Sequence, residues 1–208
     1  MAIGISLGWN CKSAAYATDR GIRKTKSEGY KTCPFDIMVS NYHGLIQCLN
    51  DDFKYFTDPE YLKIVNTSNT EKYNPGEKII HNTRYGFIFN HESPDHGKLY
   101  VCENWPEGKN HYINNNFKNF IERYNRRIQN FRDYMHSGEE IIFTLNRPQK
   151  EYTELMDCLS IKYPSLTYNI VNVFNKSEED FDLFYWFHKY MGLQDDDTEI
   201  VSAKNIYE

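Results

Sequence analysis

The chain has 208 residues, a formal net charge of −5 and an aromatic share of 16%. That length suits one domain with a substantial core, and the many rings make that core aromatic. The acidic balance excludes a basic nucleic-acid footprint over the whole chain, and the lack of any run of about 20 apolar residues excludes a membrane-spanning helix.

No basic region precedes the apolar start of the chain, so an export signal is not expected. The five cysteines, Cys11, Cys33, Cys48, Cys102 and Cys158, are odd in number and contain no Cys-x-x-Cys pair. They are expected to be free thiols in a reducing, cytoplasmic setting, without a zinc site. Neither a dinucleotide fingerprint nor a phosphate-loop lysine motif is present, so no cofactor is expected.

In chain order, residues 2–8 read as a buried strand, and residues 11–20 as a helix stopped by Gly21. Residues 23–33 are basic and polar and read as a loop. Ser40 or Asn41 can cap a helix over 42–51. Residues 66–78 read as a loop and 79–90 as one strand, with His91 at its end. Leu99 to Cys102 reads as a short strand. The spacing of Ile113, Phe117, Phe120, Ile121, Tyr124, Ile128, Phe131 and Met135 predicts a helix over 113–136, ended by Gly138. Residues 140–145 read as a strand, Pro148 opens a helix to about 162, Leu166 to Phe174 is a strand, and 178–191 an aromatic helix containing Trp186.

This alternation predicts an α/β fold: a three-layer sandwich with a mainly parallel, doubly wound sheet. It is expected to form a single domain over 1–208, with an irregular insertion at about 23–111. In such sheets, sites gather at the carboxyl ends of strands. Cys11, His91 and the pair Asn146-Arg147 all fall there. Cys11 also opens a helix, where unpaired N–H groups favour a thiolate.

The segments Ser6-Leu7-Gly8-Trp9-Asn10-Cys11, Cys33-Pro34-Phe35-Asp36 and Phe89-Asn90-His91-Glu92, followed by the helix bearing Arg123, Arg126 and Arg127, resemble a family of papain-like cysteine peptidases. The resemblance covers roughly 3–147, and this chain has Ile37 where the family usually has Trp after Pro-Phe-Asp. It implies a thiol-dependent hydrolase or acyl transferase, acting on peptide or acyl groups, with Cys11 as nucleophile, His91 as base and Asp36 as the matching acid. Trp9, Asn10, Arg127 and Arg147 are candidates to bind substrate or oxyanion.

Each residue also has a plainer reading. Cys11 can be a small buried hydrophobe, and His96, His111 and His188 compete for the base role. Asp36 can be a turn aspartate bonded to nearby N–H groups. The arginines share one helix face, which suits a phosphate or carboxylate ligand or a solvated face paired with Glu122 or other acids. Two other functions therefore stand beside the hydrolase: a transferase or binding module for a phosphorylated sugar or nucleotide, and a non-enzymatic interaction protein.

Overall fold

The computed structural model describes residues 2–66, 76–146 and 151–173. The apolar opening forms β1 (Ile3–Ser6), and α1 (Cys11–Asp19) follows after a four-residue turn. Asn10 caps α1 by accepting a hydrogen bond from the Lys12 N–H at 3.0 Å. Gly8 sits in that turn at φ +88°, a conformation that costs a glycine little and any β-carbon much more. The helix ends at Arg20, with Gly21 at φ +66° just beyond. Asn41 caps α2 (Tyr42–Asn50) by accepting from the Gly44 N–H at 2.6 Å.

The chain continues through β2 (Leu62–Asn66), β3 (Lys78–Asn82), β4 (Phe87–Ile88) and the short helix α3 (Leu99–Cys102). Then come α4 (Asn114–Met135), β5 (Ile141–Leu145), α5 (Thr153–Lys162) and β6 (Tyr168–Asn172). Two sheets result. One is parallel, in the order β1-β5-β6, with Ile3 opposite Ile141 and Ile141 opposite Tyr168. The other is antiparallel, in the order β2-β3-β4.

The two-residue period of a strand sorts the parallel sheet into two faces. Ser6 and Thr144 face α1: the Ser6 hydroxyl lies 2.7 Å from that of Ser13, and the Thr144 hydroxyl donates to the Ser13 carbonyl. Ile5, Leu7, Phe143 and Leu145 are fully buried in the main core. On α4, Phe120, Tyr124, Arg127, Ile128, Phe131 and Met135 form its buried stripe, at the helical spacing expected.

Several sequence expectations are corrected. The single strand over 79–90 is two short antiparallel strands joined by a turn, because the Asn82 side chain accepts from the Tyr85 N–H and folds the chain back. Leu99 to Cys102 is helical, not extended. Within 23–111 the described residues carry α2, as expected, together with the antiparallel sheet and α3. The expected mainly parallel sheet holds for one of the two sheets only. In α4, Asn115, Asn116 and Phe117 have positive φ, so the regular right-handed helix begins after them. The expected helix at 178–191, with Trp186 and His188, lies outside the described residues, as do Arg147 and Pro148.

Phe35 is the hub of the core. Its ring centroid lies 5.9 Å from Phe53, 6.1 Å from Phe56, 5.8 Å from Phe87 and 6.3 Å from Phe131. Three of these contacts are edge-on, the geometry that ring quadrupoles favour. One residue of the Pro-Phe-Asp motif therefore joins α4, β4 and the segment after α2. Phe35→Ala is expected to lower unfolding stability by about 3–5 kcal/mol, read from urea denaturation of the two proteins; a loss under about 1 kcal/mol would contradict the hub role.

Candidate active site

Cys11 is exposed, the first residue of α1 at the carboxyl edge of β1. The turn leading to it is held from two sides. The Asn146 N–H, just past β5, donates to the Gly8 carbonyl at 3.0 Å, and the Asn146 side-chain amide reaches Asn10 Oδ1 at 3.5 Å. The Ser40 N–H donates to the Trp9 carbonyl at 2.8 Å. Trp9 and Asn10 are buried, so the sulfur projects from a rigid base. Helix-opening N–H groups have no acceptor within the helix. Asn10 takes that of Lys12, whereas the Cys11 N–H has no hydrogen-bond partner among the described residues. An N–H beside a thiol is the arrangement that stabilises an oxyanion formed by attack of that thiol.

The other thiols differ. Cys33, Cys48 and Cys158 are buried, and burial pushes each of them up, away from the thiolate. Only Cys102 shares the exposure of Cys11, and it ends the short helix α3.

His91 lies in a 3₁₀ turn, Asn90–Glu92, just after β4. A backbone ribbon links that turn to the cysteine turn. Ser40 bonds Trp9, and the adjacent Val39 exchanges both backbone hydrogen bonds with Ile88, three residues before His91. Burial lowers the His91 pKa below its usual 6.5, Arg127 and Arg123 add to the effect, and Glu92 and Glu103 oppose it. The imidazole is thus held neutral near neutrality, the form that can accept a proton. Its ring lies 5.9 Å from that of His96. No hydrogen bond joins Cys11 to His91 among the described residues.

Asp36 is engaged elsewhere. Its carboxylate accepts from Arg23 Nη1 at 2.7 Å, from the Tyr30 hydroxyl at 3.1 Å and from the Cys33 N–H at 2.8 Å. It is fully buried, and burial pushes its pKa up against the pull of Arg23. With both oxygens committed, it makes no hydrogen bond to His91; the turn-aspartate reading describes its contacts.

The arginine face pairs with an acid, as its plainer reading expects, but Arg127 is buried rather than solvated. The acid that Arg123 and Arg127 share is Glu92. Glu92 is fully buried, and its Oε1 accepts from Arg123 Nε and Arg127 Nη1, each at 2.9 Å. Its Oε2 accepts from the Tyr124 hydroxyl at 2.9 Å. Glu92 was visible in the sequence only as the neighbour of His91. The separation of 31 and 35 residues from its arginines left no local signal of the pairing. Among the described residues no group of three or more His, Cys, Asp or Glu could hold a metal ion, and no helix is long and apolar enough to cross a membrane.

A strand-edge cysteine thus opens α1, and a histidine turn hangs on the backbone ribbon that Ser40 and Val39 tie to the cysteine turn. Residues 3–177 match the family described as putative papain-like cysteine peptidase (DUF1796), and the chain belongs to that family. No curated protein and no solved structure matches the chain.

Because His91 has a depressed pKa when folded, the unfolded chain binds the extra proton more readily, and stability falls as pH drops below about 6.5. Urea midpoints at about pH 7 and about pH 5 should differ by less in His91→Gln than in the wild type. An unchanged difference would assign the pH dependence to other groups.

Proposed function

We propose that the protein is a thiol-dependent hydrolase, or the closely related acyl transferase, acting on a peptide or other acyl substrate. The observation that carries this reading is Cys11, exposed at the first position of α1, its own backbone N–H without a hydrogen-bond partner among the described residues. In this mechanism the His91 imidazole takes the thiol proton, and the sulfur attacks the carbonyl carbon. The carbonyl electron pair moves to oxygen, where the Cys11 N–H receives it. Collapse of that adduct expels the leaving group with the proton from His91 and leaves a thioester on Cys11. Water, deprotonated by the same imidazole, or an acceptor nucleophile then releases the acyl group. The reading requires the imidazole to come within hydrogen-bond reach of the sulfur when substrate is bound.

Asp36 has no orienting role in this scheme, because Arg23, Tyr30 and Cys33 occupy its oxygens. Trp9 and Asn10 contribute by shaping the turn. The framework we propose is a three-layer, doubly wound α/β sandwich: α1 lies against one face of the parallel sheet, and the aromatic core fills the other. Five free cysteines support a reducing, cytoplasmic setting.

The test is turnover of a panel of fluorogenic peptide amides and of simple esters and thioesters. Cys11→Ala is expected to drop to the uncatalysed rate, and His91→Ala to lose about 10²–10⁴-fold, with both variants folded by circular dichroism. Full activity in Cys11→Ala would remove the thiol from the mechanism.

A further inference from the structure

Away from Cys11, an open groove of about 540 Å³ is lined by Lys26, Lys31, Thr32, Arg123, Arg126, Arg127 and Asn130. Five of those seven side chains are cations and none is an acid, in a chain whose net charge is −5. Among the described residues, the only carboxylate bonded to any of the five is that of Glu92, beneath Arg123 and Arg127. Lys26, Lys31 and Arg126 make no ion pair among the described residues. Like charges gathered in one concavity repel, and a cleft of one sign focuses the field on whatever anion enters it.

The gathering is built from two distant segments. Tyr30 stacks on Tyr134 with centroids 5.6 Å apart and planes 12° apart. The Lys31 N–H donates to the Tyr134 hydroxyl at 2.8 Å, and the Asn130 amide donates to the Thr32 carbonyl at 3.0 Å. Three consecutive loop residues are thereby clasped to α4, and the clasp carries the lysines over the arginines. The floor is rigid too. Arg127 is buried, spends Nη1 on Glu92 and packs 4.7 Å over the Tyr124 ring. Its Nε and Nη2 make no hydrogen bond with a described residue, nor does the Thr32 hydroxyl.

We propose that this groove is a binding site for a phosphate-bearing ligand. A guanidinium fork matches two phosphate oxygens at once, flanking ammonium groups add charge without demanding a direction, and the Thr32 hydroxyl supplies a neutral donor. A monocarboxylate satisfies fewer of these donors than a dianionic phosphate. The site does not depend on the thiol chemistry, because neither Cys11 nor His91 lines the groove; phosphate binding therefore persists in Cys11→Ala whether or not that variant loses turnover.

The experiment is isothermal titration of the full chain with inorganic phosphate, glucose 6-phosphate, glucose and acetate at low salt. Saturable binding of the two phosphate compounds, absent for glucose and weaker for acetate, is expected. Tighter binding of glucose 6-phosphate than of inorganic phosphate identifies an organic phosphate as the ligand type, and equal binding identifies free phosphate. Arg126→Ala with Lys31→Ala, two exposed side chains outside any ion pair, should weaken binding at least about 10-fold, while Lys118→Ala leaves it unchanged. Lys26→Ala with Lys31→Ala tests the same groove from the loop alone. No saturable phosphate binding up to about 10 mM, or equal binding in wild type and both groove variants, overturns the proposal.

Discussion

A carboxylate cannot remain ionised inside an aromatic core unless cations and hydrogen-bond donors surround it. Among the described residues two are buried, Asp36 and Glu92, and satisfying them sets the arrangement of much else. Asp36 draws Arg23, Tyr30 and the Cys33 N–H around itself, which fixes both ends of the basic loop. Glu92 draws Arg123, Arg127 and Tyr124, which fixes α4 against the turn that carries His91. Burial keeps the Tyr124 phenol protonated and therefore a donor. Removing one partner of such a pair strands a charge and typically costs about 3–5 kcal/mol, even where the intact pair adds little net stability.

The consequences reach the cysteine. Asp36 anchors a segment whose Phe35 fills the core and whose Phe35 carbonyl accepts from the Ser6 hydroxyl on β1. Four residues past Asp36, the Ser40 N–H holds the Trp9 carbonyl, and Val39 pairs with Ile88 on the way to His91. The Pro-Phe-Asp motif thus ties both turns of the candidate site to the core. The same clamps separate two chemistries: an exposed thiol at the sheet edge and a cationic groove between the basic loop and α4.

The elements most legible in the sequence were those whose signals are local. β1, α1, α2, β5 and α4 announce themselves through apolar period, an Asn cap or a terminating glycine, and Cys11 was readable as the strand-to-helix residue for the same reason. β2 carried no such signal, since only Leu62 of its five residues is buried. The turn between β3 and β4 depends on one Asn82 side chain, which pattern alone does not distinguish from a strand residue. Asp36 carried the right type for an orienting acid. Its partners, 3 to 13 residues away, are what make it an anchor, and a run of letters does not show which of them bond it. The Glu92 hub was hidden because helix spacing reports neighbours on α4, not partners from another element.

The account turns on the sulfur at residue 11 being the attacking atom. Cys102 supplies an internal control, because it is equally free and exposed but lies on α3, away from the sheet edge. The most direct measurement is peptide mapping by mass spectrometry after brief reaction with an acyl donor such as a thioester. The account predicts an acyl adduct on Cys11 well ahead of Cys102, with that preference lost in His91→Ala. Equal acylation of the two cysteines in the wild type, or a preference that survives without His91, would contradict it.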